Sequence, residues 1–423
     1  MRVLHVGTYD QAGAGIAMLR LHRALRKLGV ESEAIVQVKA GDDADVMGPD
    51  NKVAKGMGYV RPSIDKLPAY LLHKKTPASF DLQWLPNKTI LKAVRDGEYD
   101  LIHLHWLCEG FVPIQNLRKL GLPIVWTLHD MWAFTGGCNY TVDCEKYKEG
   151  CRKCPQLNSR NENDLSNWVF SRKLKYWANL DLSIVTPSHW LAGCAKASKL
   201  FKERRIEVIQ NGLDTSVYRP IRKELAREIL GLPEHKKIIL FGAVRSTSDS
   251  RKGFHYVKGA LEVLKKRYAD VGEVELCVFG ASEGEDDLGI PIRYMGRIHD
   301  DIMLVLLYSA ADIFLAPSIV DNFPNTVIES MSCGVPAVAF NASGFPDMIK
   351  HKHTGYLAEA YKEGDLADGI IWLLENVERL KSVSVACRQE AVEKYCSLKQ
   401  ANNYLSLYQQ VVRSGECVTP SSN

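Results

Sequence analysis

The sequence lacks a long apolar run. No stretch reaches eighteen uninterrupted apolar residues, and the first ten, MRVLHVGTYD, read as a strand, without a basic segment leading into an apolar one. Neither a secretory leader nor a spanning helix is therefore expected, and a cytoplasmic protein is. A dominant charge is missing too: 54 Lys and Arg against 50 Asp and Glu leave a net +4. No nucleic-acid-binding motif occurs, and no basic run is interleaved with aromatics, so DNA and RNA are not expected as partners.

What is present is enough chain for more than one core. At 423 residues, with 46% hydrophobic and 25% charged content, the composition is that of a globular enzyme with two domains. The small net charge is unevenly spread. Residues 1–213 carry 30 Lys and Arg against 22 Asp and Glu, and the remainder 24 against 28. Basic residues gather in RLHRALRKLG (20–29) and KASKLFKERR (196–205). Such runs suit an anionic membrane surface or acceptor, or are simply solvated helix faces.

Apolar runs alternate with helical patterns along the whole length. Val3, Leu4 and Val6 begin a strand, QAGAG turns, and Ile16, Leu19, Leu25 and Leu28 follow near helical spacing until Gly29; EAIVQV is the next strand. DLIHLHW (100–106), PIVWTLHD (123–130) and LSIVTPS (182–188) continue the series. IEVIQNGLDTSVYRP (206–220), with its Asn-Gly turn and proline, suits a domain crossover. The pattern then restarts with KKIILFGAVRS (236–246), VELCVFGAS (274–282), IRYMGRI (292–298), DIFLAPS (312–318) and PAVAF (336–340). This predicts an α/β protein of two Rossmann-like layers: 1–213, 214–397, and a C-terminal helix and tail over 398–423 packing back on the first domain.

Several motifs fail or stay open. GAGIAM (13–18) begins as G-x-G but has Met18 at the third glycine position, where a bulky side chain is expected to oppose helix–strand packing; the dinucleotide fingerprint fails. Gly13 and Gly15 can still let backbone N–H groups approach an anion, or mark a plain tight turn. DDAD (42–45) reads as a solvated acidic loop rather than a metal–diphosphate site. Cys138, Cys144, Cys151 and Cys154 form C-x5-C-x6-C-x2-C, the ligand count of a structural zinc site, with disulfides or free thiols as alternatives.

The most informative stretch is SIVDNFPNTVIESMSCGVPAVAF (318–340). Pro324 suits a helix start, and Glu329 lies about one turn inside, with Asp321 just outside. Carboxylates so placed can accept hydrogen bonds from vicinal hydroxyls of a ribose and of a sugar. Upstream, GAVRSTSDSRKGF (242–254) offers Arg245, which can fork onto phosphate oxygens, and Lys252, a compact point charge.

Taken together these segments resemble the GT4 family of retaining glycosyltransferases with the GT-B fold, of the exopolysaccharide type, over nearly the whole chain. The family's E-x7-E region stands here as D-x7-E, Asp321 to Glu329. MSCGVPAVAFNASGFPDMIKHKHTGYL keeps its later glycines and its proline–acid pair, and VIQNGLD, DLIHLHW and TLHD match its crossover turn and histidine segments. The resemblance implies two Rossmann-like domains whose parallel sheets face an interdomain cleft. It further implies a nucleotide diphosphate sugar donor, UDP-linked, with UDP-glucose as the leading candidate. Glu329 would hold the ribose, Asp321 the donor sugar, and Arg245 and Lys252 the diphosphate. Asn322, Phe323, Pro324, Asn325 and Thr326 would line the donor site, Arg297 and Ile298 would flank the base, and the Gly13–Gly15 loop would lie near the reaction centre. His105 and His129 would contact the transferred sugar or its phosphate. Asp130 would orient His129 or contact the acceptor, a saccharide or lipid-linked saccharide, with Trp132 and Phe134 as a stacking surface for it and with peripheral membrane contact through the basic N-domain. No metal is required for catalysis. A nucleotide-sugar epimerase and a non-catalytic nucleotide-sugar binder are the alternatives.

Overall fold

The computed structural model describes residues 1–72, 80–242, 249–281 and 289–416. The chain divides into two compact units, Met1–Gln210 with the chain from Leu398 onward, and Asn211–Ser397. Each is built on one parallel sheet.

In the first unit the strands are β1 (Arg2–Tyr9), β2 (Glu31–Val38), β3 (Val46–Met47), β4 (Leu101–Leu104), β5 (Ile124–Thr127), β6 (Leu182–Thr186) and β7 (Ile206–Val208). They lie in the order β3-β2-β1-β4-β5-β6-β7, every pair parallel. The order reverses at β1, so the crevice for a ligand opens at its carboxyl end. The helix Ala12–Lys27 starts inside the expected QAGAG turn, placing Gly13 and Gly15 in its first turn. A Cβ on Gly15 would sit 2.4 Å from the Tyr9 carbonyl oxygen, so glycine is what lets the helix start abut the strand end. Met18 does not obstruct this packing. It lies against Gly7 of β1, where an added Cβ would come 2.8 Å from the Met18 sulfur. The small residue has moved from helix to strand.

The acidic DDAD loop and the basic run 20–29 meet each other. Arg23 pairs with Asp43 at 3.0 Å, and Arg26 pairs with Asp45. That basic run is therefore partly neutralised by its own neighbour. The C-terminal helix Ser397–Glu416 shares a core with β1, β4, β5 and β6: Ala401, Tyr404, Tyr408 and Val411 pack with Val3, Leu101, Val125 and Val185. Two hydrogen bonds add to it, His103 Nδ1 with the Tyr408 hydroxyl at 2.6 Å and Thr127 with the Tyr404 hydroxyl at 2.7 Å.

In the second unit the strands are β8 (Lys237–Gly242), β9 (Val274–Phe279), β10 (Ile292–Tyr294), β11 (Ile313–Ala316), β12 (Ala337–Phe340) and β13 (Gly355–Ala358). Their order is β10-β9-β8-β11-β12-β13, again all parallel. Apolar clusters cover both faces, one around Leu240, Phe314 and Met331, the other around Ile239, Leu315 and Ile370. Strands buried on both faces read as continuous apolar runs, which is why they were visible in the sequence. Val46–Met47 is too short to show a period.

Candidate active site

In the second unit the chain leaves β11 at Ala316 and runs through a polar loop to the helix Asn325–Ser332. Pro324 is the residue before that helix, one position earlier than a first-turn proline. Facing the loop is the turn Ser250–Lys252, closed by Gly253 at φ +77°. A Cβ on Gly253 would lie 2.0 Å from the Pro317 carbonyl oxygen, so only glycine permits this approach. The Ile319 N–H donates to the Arg251 carbonyl at 2.9 Å and fixes the two segments side by side.

That contact delivers Lys252 to Asp321, with Nζ 2.6 Å from Oδ2. Burial works against the Asp321 charge, but Lys252 and then Arg251 outweigh it and hold the carboxyl below its ordinary pKa. The Asp321 backbone is pinned by its N–H to the Ser343 hydroxyl at 3.1 Å. Behind it, a Cβ on Gly344 would fall 1.5 Å from the Asn322 carbonyl oxygen. Asn322 and Phe323 are buried, and the Phe323 ring packs edge-on to Tyr395 in the core. Glu329 is buried one turn into the helix and accepts a 2.9 Å hydrogen bond from the Tyr308 hydroxyl. A small pocket at the ends of β8 and β11 is lined by Gly242, Lys252, Ser318, Pro324 and Thr326. Asn325 accepts a hydrogen bond from Asn211. Arg297 is exposed and Ile298 packs on the core edge. Arg245 lies outside the described residues.

Residues that the sequence reading passed over also build this place. Arg251 is 3.9 Å from Asp321 and 2.9 Å from Asp249. The Arg-Lys doublet in SDSRKGF was its only signal. Tyr308 and Ser343 carried none, because each acts through a partner distant in sequence.

In the first unit several expected side chains turn out to face inward. His105 directs Nε2 to His5 at 3.1 Å and Nδ1 to His129 at 3.2 Å, so both ring nitrogens are engaged inside the protein. A direct sugar contact from this ring would require one of those two bonds to break. Burial pushes the His5, His103 and His105 pKa values well down, and that of His129 to about 4, so the row is neutral at pH 7. Asp130 does not orient His129. Its carboxylate accepts from the Trp106 indole, the Asn139 amide and the Trp132 backbone N–H. Trp132 and Phe134 are core residues, with exposures of 3% and 0%, and offer no open stacking surface for a sugar.

The four cysteines share a neighbourhood without closing a metal cage. Among the described residues, the one group of three or more His, Cys, Asp or Glu ligand atoms all within 4.8 Å of one another is His5, His103 and His105. All four thiols are free, and burial raises the pKa of Cys138 and that of Cys151, the latter to about 12. The Cys151 sulfur accepts the Gly136 N–H at 3.1 Å. As placed, the sulfurs do not form the expected zinc set. Lys173 anchors this segment instead, its ammonium donating to the carbonyls of Trp132 and Thr135.

Comparison with known proteins matches this architecture in both halves. The family model described as Glycosyltransferase Family 4 matches residues 12–217, and that described as Glycosyl transferases group 1 matches residues 222–390. The chain belongs to the GT4/group 1 glycosyltransferases. A D-inositol 3-phosphate glycosyltransferase of Arthrobacter sp. (strain FB24) is 24% identical over 377 residues, 86% of this chain and 82% of that one. The fold is GT-B, shared with a sucrose-phosphate synthase from Thermosynechococcus elongatus (TM-score 0.71, 18% identity, 98% of this chain and 100% of that one). A structure of Anabaena Alr3699/HepE in complex with UDP-glucose aligns with TM-score 0.62 at 16% identity, over 99% of this chain and 100% of that one. As a glycosyltransferase, this enzyme has a second unit matching the group 1 model, which contains the Lys252–Asp321 pair and Glu329.

Proposed function

We propose that this glycosyltransferase moves a hexose from a UDP-linked donor, UDP-glucose first, to a saccharide or lipid-linked saccharide, with retained anomeric configuration, in polysaccharide biosynthesis. The observation carrying the donor side is the buried carboxylate pair around one helix start, Asp321 ion-paired to Lys252 and Glu329 one turn inside. Lys252 has three N–H donors, so holding Asp321 leaves capacity for a diphosphate oxygen. Asp321 accepts from hydroxyls of the donor sugar, and Glu329 from those of the ribose. The backbone of Asn322, Phe323, Pro324, Asn325 and Thr326 lines the donor, with Arg297 and Ile298 beside the base and Arg245 on the diphosphate. His129, oriented by His105, faces the transferred sugar, with the Gly13–Gly15 helix start nearby. Departure and attack occur on one face of the sugar, with leaving-group charge stabilised by fixed cations and the helix dipole. The UDP-glucose complex of the Anabaena neighbour supports the choice of donor.

The name of the curated relatives favours a second acceptor class, a phosphorylated cyclitol. A lipid-linked acceptor would bring the enzyme to the cytoplasmic membrane face. The deciding experiment incubates the enzyme with a panel of nucleotide sugars and acceptors, then identifies the product by mass spectrometry. Release of UDP only when acceptor is present supports transfer; an epimerised donor without acceptor overturns it.

A further inference from the structure

Behind His129, the interior of the first unit holds a row of linked imidazoles. His5, on β1, directs Nδ1 to Nε2 of His105 at 3.1 Å, and His105 directs Nδ1 to Nε2 of His129 at 3.2 Å. All three rings are neutral at pH 7, so each has one N–H and one lone pair. Two such bonds in series cannot be set independently. A proton on Nδ1 of His5 makes His105 Nε2 the acceptor, which puts the His105 proton on Nδ1 and makes His129 Nε2 the next acceptor. The row is therefore protonated on Nδ1 throughout or on Nε2 throughout.

The closed end chooses between the two. His5 is fully buried, and its Nε2 has no hydrogen-bond partner among the described residues. His22 stands nearby, with ring centres 5.9 Å apart and planes at 70°, but its Nδ1 is taken by the Ser32 hydroxyl at 2.7 Å and its own Nε2 also lacks a partner. His103, its ring centre 4.9 Å from that of His5, spends both nitrogens on Tyr408 and Thr127. With protons on Nε2, His5 would bury an N–H that nothing receives; with protons on Nδ1 it buries only a lone pair. Among buried backbone groups the orphaned N–H is the rarer defect, and the same preference here places the protons on Nδ1. The row is not a proton relay, because its far end is walled in at His5 Nε2. Nor does it suit a metal. His5, His103 and His105 offer three ligand atoms within 4.8 Å, but bonds to neighbours already occupy both nitrogens of the last two.

We infer that His5 is a positioning residue that acts through His105 to hold His129 as the Nδ1–H tautomer, so that His129 meets the transferred sugar as a neutral hydrogen-bond donor. A ring so fixed donates through Nδ1 to a sugar or phosphate oxygen and cannot take a proton there from the acceptor hydroxyl. The inference rests on the proposed function for the place of His129 beside the sugar, and on the row alone for its tautomer.

The test is long-range proton–nitrogen NMR of the full chain with isotope-labelled histidine, which reads the two tautomers directly. His5, His105 and His129 are all expected as Nδ1–H. His5→Asn puts an amide donor where Nδ1 stood and should keep that pattern. His5→Asp puts an acceptor there and should reverse the row, leaving His129 as Nε2–H. Calorimetry then separates positioning from general damage. His5→Asp is expected to weaken UDP-glucose binding about two- to tenfold and leave UDP at wild-type affinity, while His5→Asn changes neither. An Nε2–H tautomer at His129 in the wild type overturns the inference, whether or not His5→Asp folds. So does a folded His5→Asp protein with His129 still Nδ1–H, a reversed row with unchanged UDP-glucose affinity, or stoichiometric metal bound by the purified wild type. Wild-type protein that does not bind UDP-glucose would sink the donor reading and leave the tautomer result untouched.

Discussion

Lys252 and Asp321 sit 69 residues apart in sequence and 2.6 Å apart in the fold, and Lys252 also lines the small pocket at the ends of β8 and β11. The pair solves a burial problem. A carboxylate with 11% of its side chain exposed is ionised only because a cation is delivered to it, and the glycine after Lys252 makes that delivery possible.

Two substitutions separate the roles of the two carboxylates. Asp321→Ala is expected to weaken the intact UDP-sugar while leaving UDP close to wild type. Glu329→Ala is expected to weaken both, because the ribose is common to them. Loss of a hydrogen bond to a charged group costs about 1.5–3 kcal/mol, or roughly 10- to 150-fold in Kd. Calorimetry with both ligands on both variants checks this. Glu329→Gln, which can still accept from Tyr308, controls for damage to the core. Wild-type affinities throughout would remove both assignments.

Gly344 is the tightest point of the site. Its missing Cβ would overlap the Asn322 carbonyl, so Gly344→Ala must push the Asp321–Asn322 backbone away from the Lys252 turn. Overpacking of this kind costs about 1–3 kcal/mol. The expected result is a lower denaturation midpoint together with weaker UDP-sugar binding. Substitution at Gly13, where an added Cβ meets nothing within 4 Å, is the matched control and should leave stability nearly unchanged.

Legibility followed locality. Most strands of both sheets showed in the sequence because doubly buried strands are short apolar runs; β3 and β13, of two and four residues, did not. Lys252 showed because it directly precedes a glycine, and Asp321 and Glu329 because they flank the proline at a helix start with seven residues between them. What stayed hidden depends on contacts between distant segments. His105 looked like a ligand-edge histidine, and only the partner positions of His5 and His129 reveal that both its nitrogens are used inside. Trp132 and Phe134 follow a strand end, where a sugar platform is plausible, yet the chain folds them under the loop. The cysteine spacing gave a ligand count but not a geometry.

The neutral histidine row makes the first unit acid-sensitive. His129 is held at about 4, and His5, His103 and His105 also lie below the ordinary value of 6.5. Between those limits the unfolded chain binds protons that the folded chain refuses, so stability is full above the ordinary value and falls as pH drops. The slope is about 1.4 kcal/mol per pH unit for each histidine fully in its window. Guanidinium melts read by tryptophan fluorescence from neutral pH downward test it, since all the tryptophans except Trp372 belong to the first unit. His5→Asn should flatten the slope; an unchanged slope would mean that His5 is not part of it.

Lys173 carries the last prediction. It is fully buried, its Nζ lies 3.6 Å from the centre of the Trp132 ring, and burial lowers its pKa to about 7. Lys173→Met keeps the packing but orphans the carbonyls of Trp132 and Thr135, at about 1–3 kcal/mol each. The pH dependence distinguishes a lost charge from a lost shape. Because the folded pKa lies below the unfolded value, the wild-type lysine weakens the fold most below about 7 and is relieved progressively as pH rises toward 10. The neighbouring thiols titrate in the opposite sense, their raised values removing stability in alkali, so the wild-type curve alone is ambiguous. The difference between wild-type and Lys173→Met melts cancels them. That difference should grow in favour of wild type from pH 7 to pH 10, by up to about 1.4 kcal/mol per unit. A difference that stays flat across the range would show that Lys173 keeps its proton throughout, held by the carbonyls of Trp132 and Thr135 and the Trp132 ring.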